Sequence, residues 1–150
     1  MGHGASHATL APSDHQRRAD VIAILDGMAL ALAPLQAERG LWRTVLDRPD
    51  ASAEESASAM FAFALARGAR LGLLDDRARS AAERCGAALA RSVARDGSVV
   101  GVTGGTGPGD AAHYQRIASG TYPWGIGAWL LDAAELAALR RGAPLTLDEA

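Results

Sequence analysis

"SAEESASAMFAFALARG", Ser52 to Gly68, is the stretch whose reading decides the fold. Ser52 with Glu55 three residues on has the spacing of a capping box, which starts a helix by satisfying its free N–H groups. Met60, Phe63 and Leu65 supply bulk. Ala57, Ala59, Ala62, Ala64 and Ala66 let a neighbouring helix come close. Gly68 is where the helix is expected to end or begin to end. Asp75 and Asp76 then open a third helix, "RARSAAERCGAALARSVA", with acids at its head and Arg91 and Arg95 near its tail, as the helix dipole prefers. Helix, tight turn, helix is a helical hairpin.

The pattern extends in both directions. Upstream, "HQRRADVIAILDGMALALAPLQAERG" carries Val21, Ile22, Leu25, Met28, Leu32 and Leu35 at helical steps. Ser13 or Asp14 is the expected cap, Pro34 should loosen the last turns, and Gly40 is the expected stop. Downstream, a fourth helix is expected from about Pro123 through "WGIGAWLLDAAELAALRR". Between the third and fourth lies "RDGSVVGVTGGTGPGDAAHYQRIASGTY", with an Asp96–Gly97 turn and short β-branched runs suited to a minor hairpin. Long loops in helical domains often carry function. The expectation is an all-α domain of about four helices with one long glycine-rich loop. Residues 1–13 are expected to be a mobile leader, 14–141 the helical domain and 142–150 a frayed tail.

Composition agrees with helix. Of 150 residues, 49% are apolar, mostly Ala and Leu, and 21% are charged, a globular balance. The net charge of -2 argues against nucleic acid or an anionic membrane as partner. The basic residues are all Arg, so any clamp on a carboxylate here is a guanidinium. The single Cys85 excludes an internal disulfide and fits a small buried helix residue. No apolar run is long enough to span a membrane, and the N-terminus lacks a signal-peptide core, so the default location is the cytoplasm. His3 and His7 have no further ligand at metal spacing.

"GGTGPG", Gly104 to Gly109, invites a phosphate-loop reading, but no Lys follows and no strand–loop–helix frame surrounds it. It is read as a flexible turn or as a place where backbone approaches a ligand. His113 is read as a surface histidine. Trp42, Tyr114, Tyr122 and Trp124 sit in loops or at helix starts, whereas Phe63 and Trp129 lie inside helices and fit a core. Rings at helix ends suit either a sugar-binding surface, where C–H faces stack on them, or plugs for the end of a bundle. Residue types alone leave the two level. Glu54–Glu55 is a dense acidic spot, which suits a helix N-terminus or a substrate-orienting carboxylate.

Taken together, "GLWRTVLDRPD", "EESASAMFAFALARGARLGLLD", "DGSVVGVTGGTGPGD" and "YPWGIGAWLLDAAEL" resemble the C-terminal third of the unsaturated uronyl hydrolases of glycoside hydrolase families 88 and 105, and more closely the unsaturated rhamnogalacturonyl hydrolases. The likeness runs in order from about Arg17 to Leu139. It implies a partial (α/α)6 toroid, the six-hairpin glycosidase fold. It implies removal of an unsaturated uronic acid from lyase-generated pectin-type oligosaccharides by hydration of the C4–C5 double bond, with an aspartate as general acid and base and no metal or organic cofactor. Trp42, Glu54, Ser56, Thr106, Tyr122 and Trp124 match family positions near the mouth of the substrate funnel, which implies substrate-side or supporting roles. Glu55 departs from the family's usual Ser or Thr, and Ala53 from a larger apolar residue.

The catalytic aspartate belongs to a part of the family that precedes this chain's start, so the chain alone is expected to be an inactive fragment with no catalytic residue of its own. Its unmatched faces are expected to drive self-association or to meet a complementing N-terminal part. The alternative is a non-catalytic helical module that binds carbohydrate or protein.

Overall fold

The computed structural model describes residues 12–142, with side chains from Gln16 onward. The expected leader and tail lie outside the described residues except at their inner edges. So do His3 and His7.

The described residues form five α-helices: α1 (Pro12–Leu32), α2 (Glu55–Arg70), α3 (Asp76–Leu89), α4 (Ala111–Gln115) and α5 (Pro123–Arg140). One small antiparallel sheet joins β1 (Val102–Thr103) to β2 (Ser119–Gly120). α2 is central and packs along both α5 and α3. Its alanines make this possible: Ala59, Ala62 and Ala66 are completely buried. α3 answers with Ala78, Ala81, Ala82, Cys85, Ala88 and Leu89, a face at helical spacing. α5 presents Gly125, Ala128, Asp132, Glu135, Leu136 and Leu139. Small side chains on all three helices bring the backbones close, so a core with few large residues still excludes water.

Several expected boundaries shift. α1 is already helical at Pro12, so Ser13 and Asp14 lie within its first turn rather than ahead of it. Its α-helical part ends at Leu32, and Ala33–Leu35 form a 3-10 turn, where Pro34 removes an N–H donor. Gly40 therefore ends no helix. It sits at φ +91°, and a Cβ there would lie 2.7 Å from the Arg84 carbonyl oxygen, so it is a turn glycine pressed onto α3. The inward row of α1 is Ile22, Leu25, Ala29 and Leu32, whereas Val21 and Met28 are exposed. Ser52 does not cap α2; Glu54 does. Gly68 does not end α2, which runs on to Arg70. Asp75 caps α3 as expected, and α5 starts at Pro123 as expected. Cys85 is buried in α3, and burial raises its thiol above the ordinary range. Among the described residues no helix is long and apolar enough to cross a membrane.

Two acids lie on the buried face of α5. Glu135 pairs with Arg70 (Nε to Oε1 2.5 Å) and more loosely with Arg67 at 3.8 Å. Asp132, 2% exposed, leaves its Oδ1 buried without a hydrogen-bond partner among the described residues. Burial pushes its carboxyl up to about 7, against a smaller opposing pull from Arg140.

A pH dependence follows from Asp132. In the unfolded chain its carboxyl ionises near 4, whereas the fold holds its proton to about pH 7. The native state therefore binds more protons across that window, and stability falls as pH rises through it. Asp132→Asn removes this dependence. Urea denaturation is expected to show the variant gaining on the wild type between about pH 4 and about pH 7, by at most about 1.4 kcal/mol per pH unit, and levelling off above. A stability difference that does not change with pH would show that Asp132 ionises normally in the fold.

Candidate functional site

α2 and α5 both begin beside β1, so their N-termini open at the same end of the helical layer. Thr103 of β1 stands between them. Its N–H donates to Glu54 Oε1 at 3.0 Å, and its carbonyl accepts from Trp124 Nε1 at 3.3 Å. The expected minor hairpin at Asp96–Gly97 is a single bridge, Val93 to Val99, with Gly97 at φ +85°. The wider closure of the long loop comes from β1 pairing with β2, Val102 opposite Gly120 and Thr103 opposite Ser119. α4 fills the interval, started by the Asp110 side chain accepting from the His113 N–H at 2.7 Å.

A cavity of about 300 Å³ opens here. Arg43, Thr44, Glu54, Phe61, Thr103, Thr106 and Tyr114 are among the residues that line it. Of the expected site residues, Glu54 and Thr106 are therefore brought together. Glu54 is almost fully buried, and both its oxygens accept hydrogen bonds: Oε1 from the Ser56 and Thr103 N–H groups, Oε2 from the Ala57 N–H, and both from the Ser56 hydroxyl at 2.8 and 3.0 Å. Ser56 thus supports Glu54 from beneath. Thr106 Oγ1 donates back to the Gly104 carbonyl at 3.0 Å.

Tyr122 and Trp124 form a parallel stack beside the cavity, centroids 4.6 Å apart and planes within 10°. Trp124 is about half exposed, at 49%. Its ring is fixed by the hydrogen bond to Thr103.

Trp42 is in a different position. Its exposure is 0%, so no ring face is open on the surface, unlike the substrate-side place that the resemblance allowed for it. Its Nε1–H donates to the Leu32 carbonyl at 2.9 Å, at the end of α1. Its ring meets the Phe61 ring edge-on at 5.6 Å, and Phe61 lines the cavity. Its backbone N–H donates to Ser58 Oγ at 2.9 Å, and its carbonyl accepts the Glu54 N–H at 3.0 Å.

Arg43, Thr44 and Thr103 were not singled out by sequence reasoning. Arg43 and Thr44 follow Trp42 directly, and Thr103 closes the β-branched run Val99 to Thr103; neither position carries a motif of its own. His113 is partly buried against Tyr114, edge-on at 5.5 Å, rather than on the open surface. Among the described residues no three His, Cys, Asp or Glu side chains converge as metal ligands. A larger groove of about 670 Å³ runs between α1 and the start of α3, with walls of Ala, Leu, Pro, Asp and Arg and no aromatic ring.

The profile of glycosyl hydrolase family 88 matches residues 5–140. The chain is 33% identical over 129 residues to the unsaturated 3S-rhamnoglycuronyl hydrolase of Formosa agariphila, covering 83% of this chain and 33% of that protein. Among solved structures it is similar to a possible member of family 105 from Salmonella enterica, at 29% identity and TM-score 0.80, covering 87% of this chain and 34% of that one. A family 105 glycoside hydrolase from C. acetobutylicum matches at 27% identity and TM-score 0.75, covering 85% of this chain and 40% of that one. The chain thus spans about a third of the length of these relatives. The helical architecture is that of the six-hairpin glycosidases.

Glu54 generates a stability prediction. Glu54→Ala removes the cap of α2 and strands the Thr103 N–H, a combined loss of about 2–4 kcal/mol by chemical denaturation. Glu54→Gln is not conservative, because its amide NH₂ must face an N–H donor; it is expected to cost at least about 1 kcal/mol. Hydrogen exchange at the Thr103 amide should accelerate in both. Near-wild-type stability of Glu54→Ala would show that the hydrogen bonds of this carboxylate contribute little.

Proposed function

The chain belongs to glycosyl hydrolase family 88, and from that membership we propose that it forms one wall of a carbohydrate site for unsaturated uronyl oligosaccharides of the kind polysaccharide lyases release. The reaction proposed for the whole site is hydration of the C4–C5 double bond. Water adds a proton at C4 and a hydroxyl at C5, and the hemiketal so formed opens to release the adjoining sugar. No residue of this chain is assigned the proton transfer. Its side chains hold and orient.

The observation that carries this reading is the fixed aromatic stack. A pyranose presents a C–H face, and a half-exposed indole held by its own N–H is a rigid surface for it. The neighbouring hydroxyls of Thr106 and Tyr114 supply polar contacts to sugar hydroxyls, which are donors and acceptors at once. Rigidity matters because a ring that is already placed loses little freedom on binding.

A second reading is a non-catalytic helical module that binds carbohydrate or protein, and a different observation bears on both readings. Val21, Ile24, Met28 and Leu30 of α1, and Leu130 and Leu131 of α5, are each about half or more exposed. Apolar rows of this kind on a folded surface call for further polypeptide, either a complementing part or a second copy.

The tests separate these readings. Titrating the 150-residue chain with an unsaturated disaccharide is expected to quench tryptophan fluorescence while the ultraviolet absorbance of the double bond persists. Trp124→Ala should weaken binding about tenfold, the upper end of an aromatic stacking contact. Loss of the double bond with this chain alone would overturn the placing of proton transfer outside it, and absence of any saccharide binding would overturn the carbohydrate site. Light scattering is expected to show self-association of the isolated chain. A monomer that melts cooperatively by calorimetry would remove the case for a covering partner.

A further inference from the structure

Several arginines among the described residues lack an ion pair or hydrogen bond, but the others lie on the exposed surface, and Arg43 is half-buried. Arg48, Arg70, Arg77 and Arg79 each face a carboxylate within 3.4 Å. Arg43 is half-buried in the cavity wall, and among the described residues its guanidinium makes no ion pair or hydrogen bond. The nearby acids are already engaged. Asp50 takes Arg48 and Gln115, and Glu54 takes Ser56, Ala57 and Thr103. The next residue shows the same lack. Thr44 Oγ1 is buried in the wall of the same cavity with no partner among the described residues.

The backbone that carries both residues is held firmly. Arg43 pairs with Ala53 in a β-bridge, and the Thr44 N–H donates to the Ser52 carbonyl at 2.9 Å. A guanidinium and a hydroxyl carried on anchored backbone, both with unused donors and both lining one cavity, match a group that only accepts hydrogen bonds and carries negative charge.

Resting on the carbohydrate reading above, we propose that Arg43 and Thr44 form an anion-selecting corner of this cavity, which takes a carboxylate or sulfate ester borne by the bound saccharide. The guanidinium supplies charge and paired N–H donors, and the Thr44 hydroxyl supplies a further donor. The corner makes the site prefer acidic sugars over neutral ones of equal size. A buried hydroxyl that gains its acceptor only in the complex favours the bound state, since the free protein leaves it unpaired.

The test is calorimetric titration of the 150-residue chain with three disaccharides of equal size: one bearing a uronate carboxylate, one a sulfate ester, one neutral. The wild type is expected to bind at least one acidic ligand about tenfold more tightly than the neutral one, and the preferred acid identifies the group. Added salt should shrink the preference. In Arg43→Gln the preference should fall to about one, through loss of acidic-ligand affinity. Thr44→Val should weaken acidic-ligand binding several-fold without lowering the melting temperature, because the lost hydroxyl has no partner in the free protein. Equal binding of acidic and neutral ligands by the wild type, or a preference that survives in Arg43→Gln, overturns the proposal while leaving the carbohydrate site standing. No binding of any of the three overturns both.

Discussion

Glu54 joins three parts of the chain that are far apart in sequence. It caps α2 through the Ser56 and Ala57 N–H groups and reaches across to the Thr103 N–H in β1. Its own backbone N–H donates to Trp42, in the loop after α1. A helix N-terminus leaves unsatisfied N–H donors, and here a single side chain answers two of them while fixing a strand at the same spot. The position of the long loop over the start of α2, at the edge of the cavity, depends on this group. Buried and ringed by donors, it acts as a fixed acceptor that the structure uses internally, which separates it from a carboxylate free to handle substrate protons.

α5 fastens the same loop from the other side. Gly125, in the first turn of α5, lies so close to Val102 that a Cβ there would come within 2.3 Å of the Val102 side chain. Trp124 hydrogen bonds to Thr103 one residue away. β1 is thus held by the α2 cap, by the first turn of α5 and by β2. A glycine-rich loop attached at three points is no longer a flexible turn. Its remaining freedom lies between Gly104 and Gly109, where Gly105 and Gly107 have nothing within 4 Å of a would-be Cβ. The reading of "GGTGPG" as a place of close backbone approach therefore applies at its edges, where Gly104 meets Tyr122 and Gly109 meets His113, more than at its middle.

The helical hairpin was legible because it depends on periodicity and on local capping. Asp75, Pro123, Cys85 and the alanines Ala59, Ala62 and Ala66 of α2 are where sequence placed them. What escaped depends on contacts from elsewhere. Ser52 has a capping-box spacing, but its carbonyl is engaged by Thr44 in the loop pairing, and Glu54 takes the cap instead. Gly40 has the look of a helix stop, yet its left-handed φ serves a loop that must lie flat on α3. α4 is only five residues long and depends on Asp110, so no periodicity announces it. Trp42 was undecided between stacking and plugging, because burial is a tertiary property. Its indole N–H on Leu32 and its edge contact with Phe61 decide that it plugs. Of the candidate site, the aromatic pair and Glu54 were visible, whereas Arg43 and Thr44 gain meaning only from what they fail to contact.

Glu54 and Glu55 are neighbours with opposite chemistry. Glu55 packs its carboxyl against Gly101, whose φ of +83° and lack of a Cβ make the room. It has one long hydrogen bond, from Ser92 Oγ at 3.4 Å, and its Oε2 is buried without a partner among the described residues. Burial, with the nearby charge of Glu54, pushes its carboxyl up to about 7. Below that pH it is mostly neutral, so two adjacent acids contribute about one negative charge near the cavity rather than two. A partly buried acid is thereby made tolerable at the helix start. The carboxylate that shares the cavity wall with Arg43 is that of Glu54, and both its oxygens are already met by N–H and hydroxyl donors.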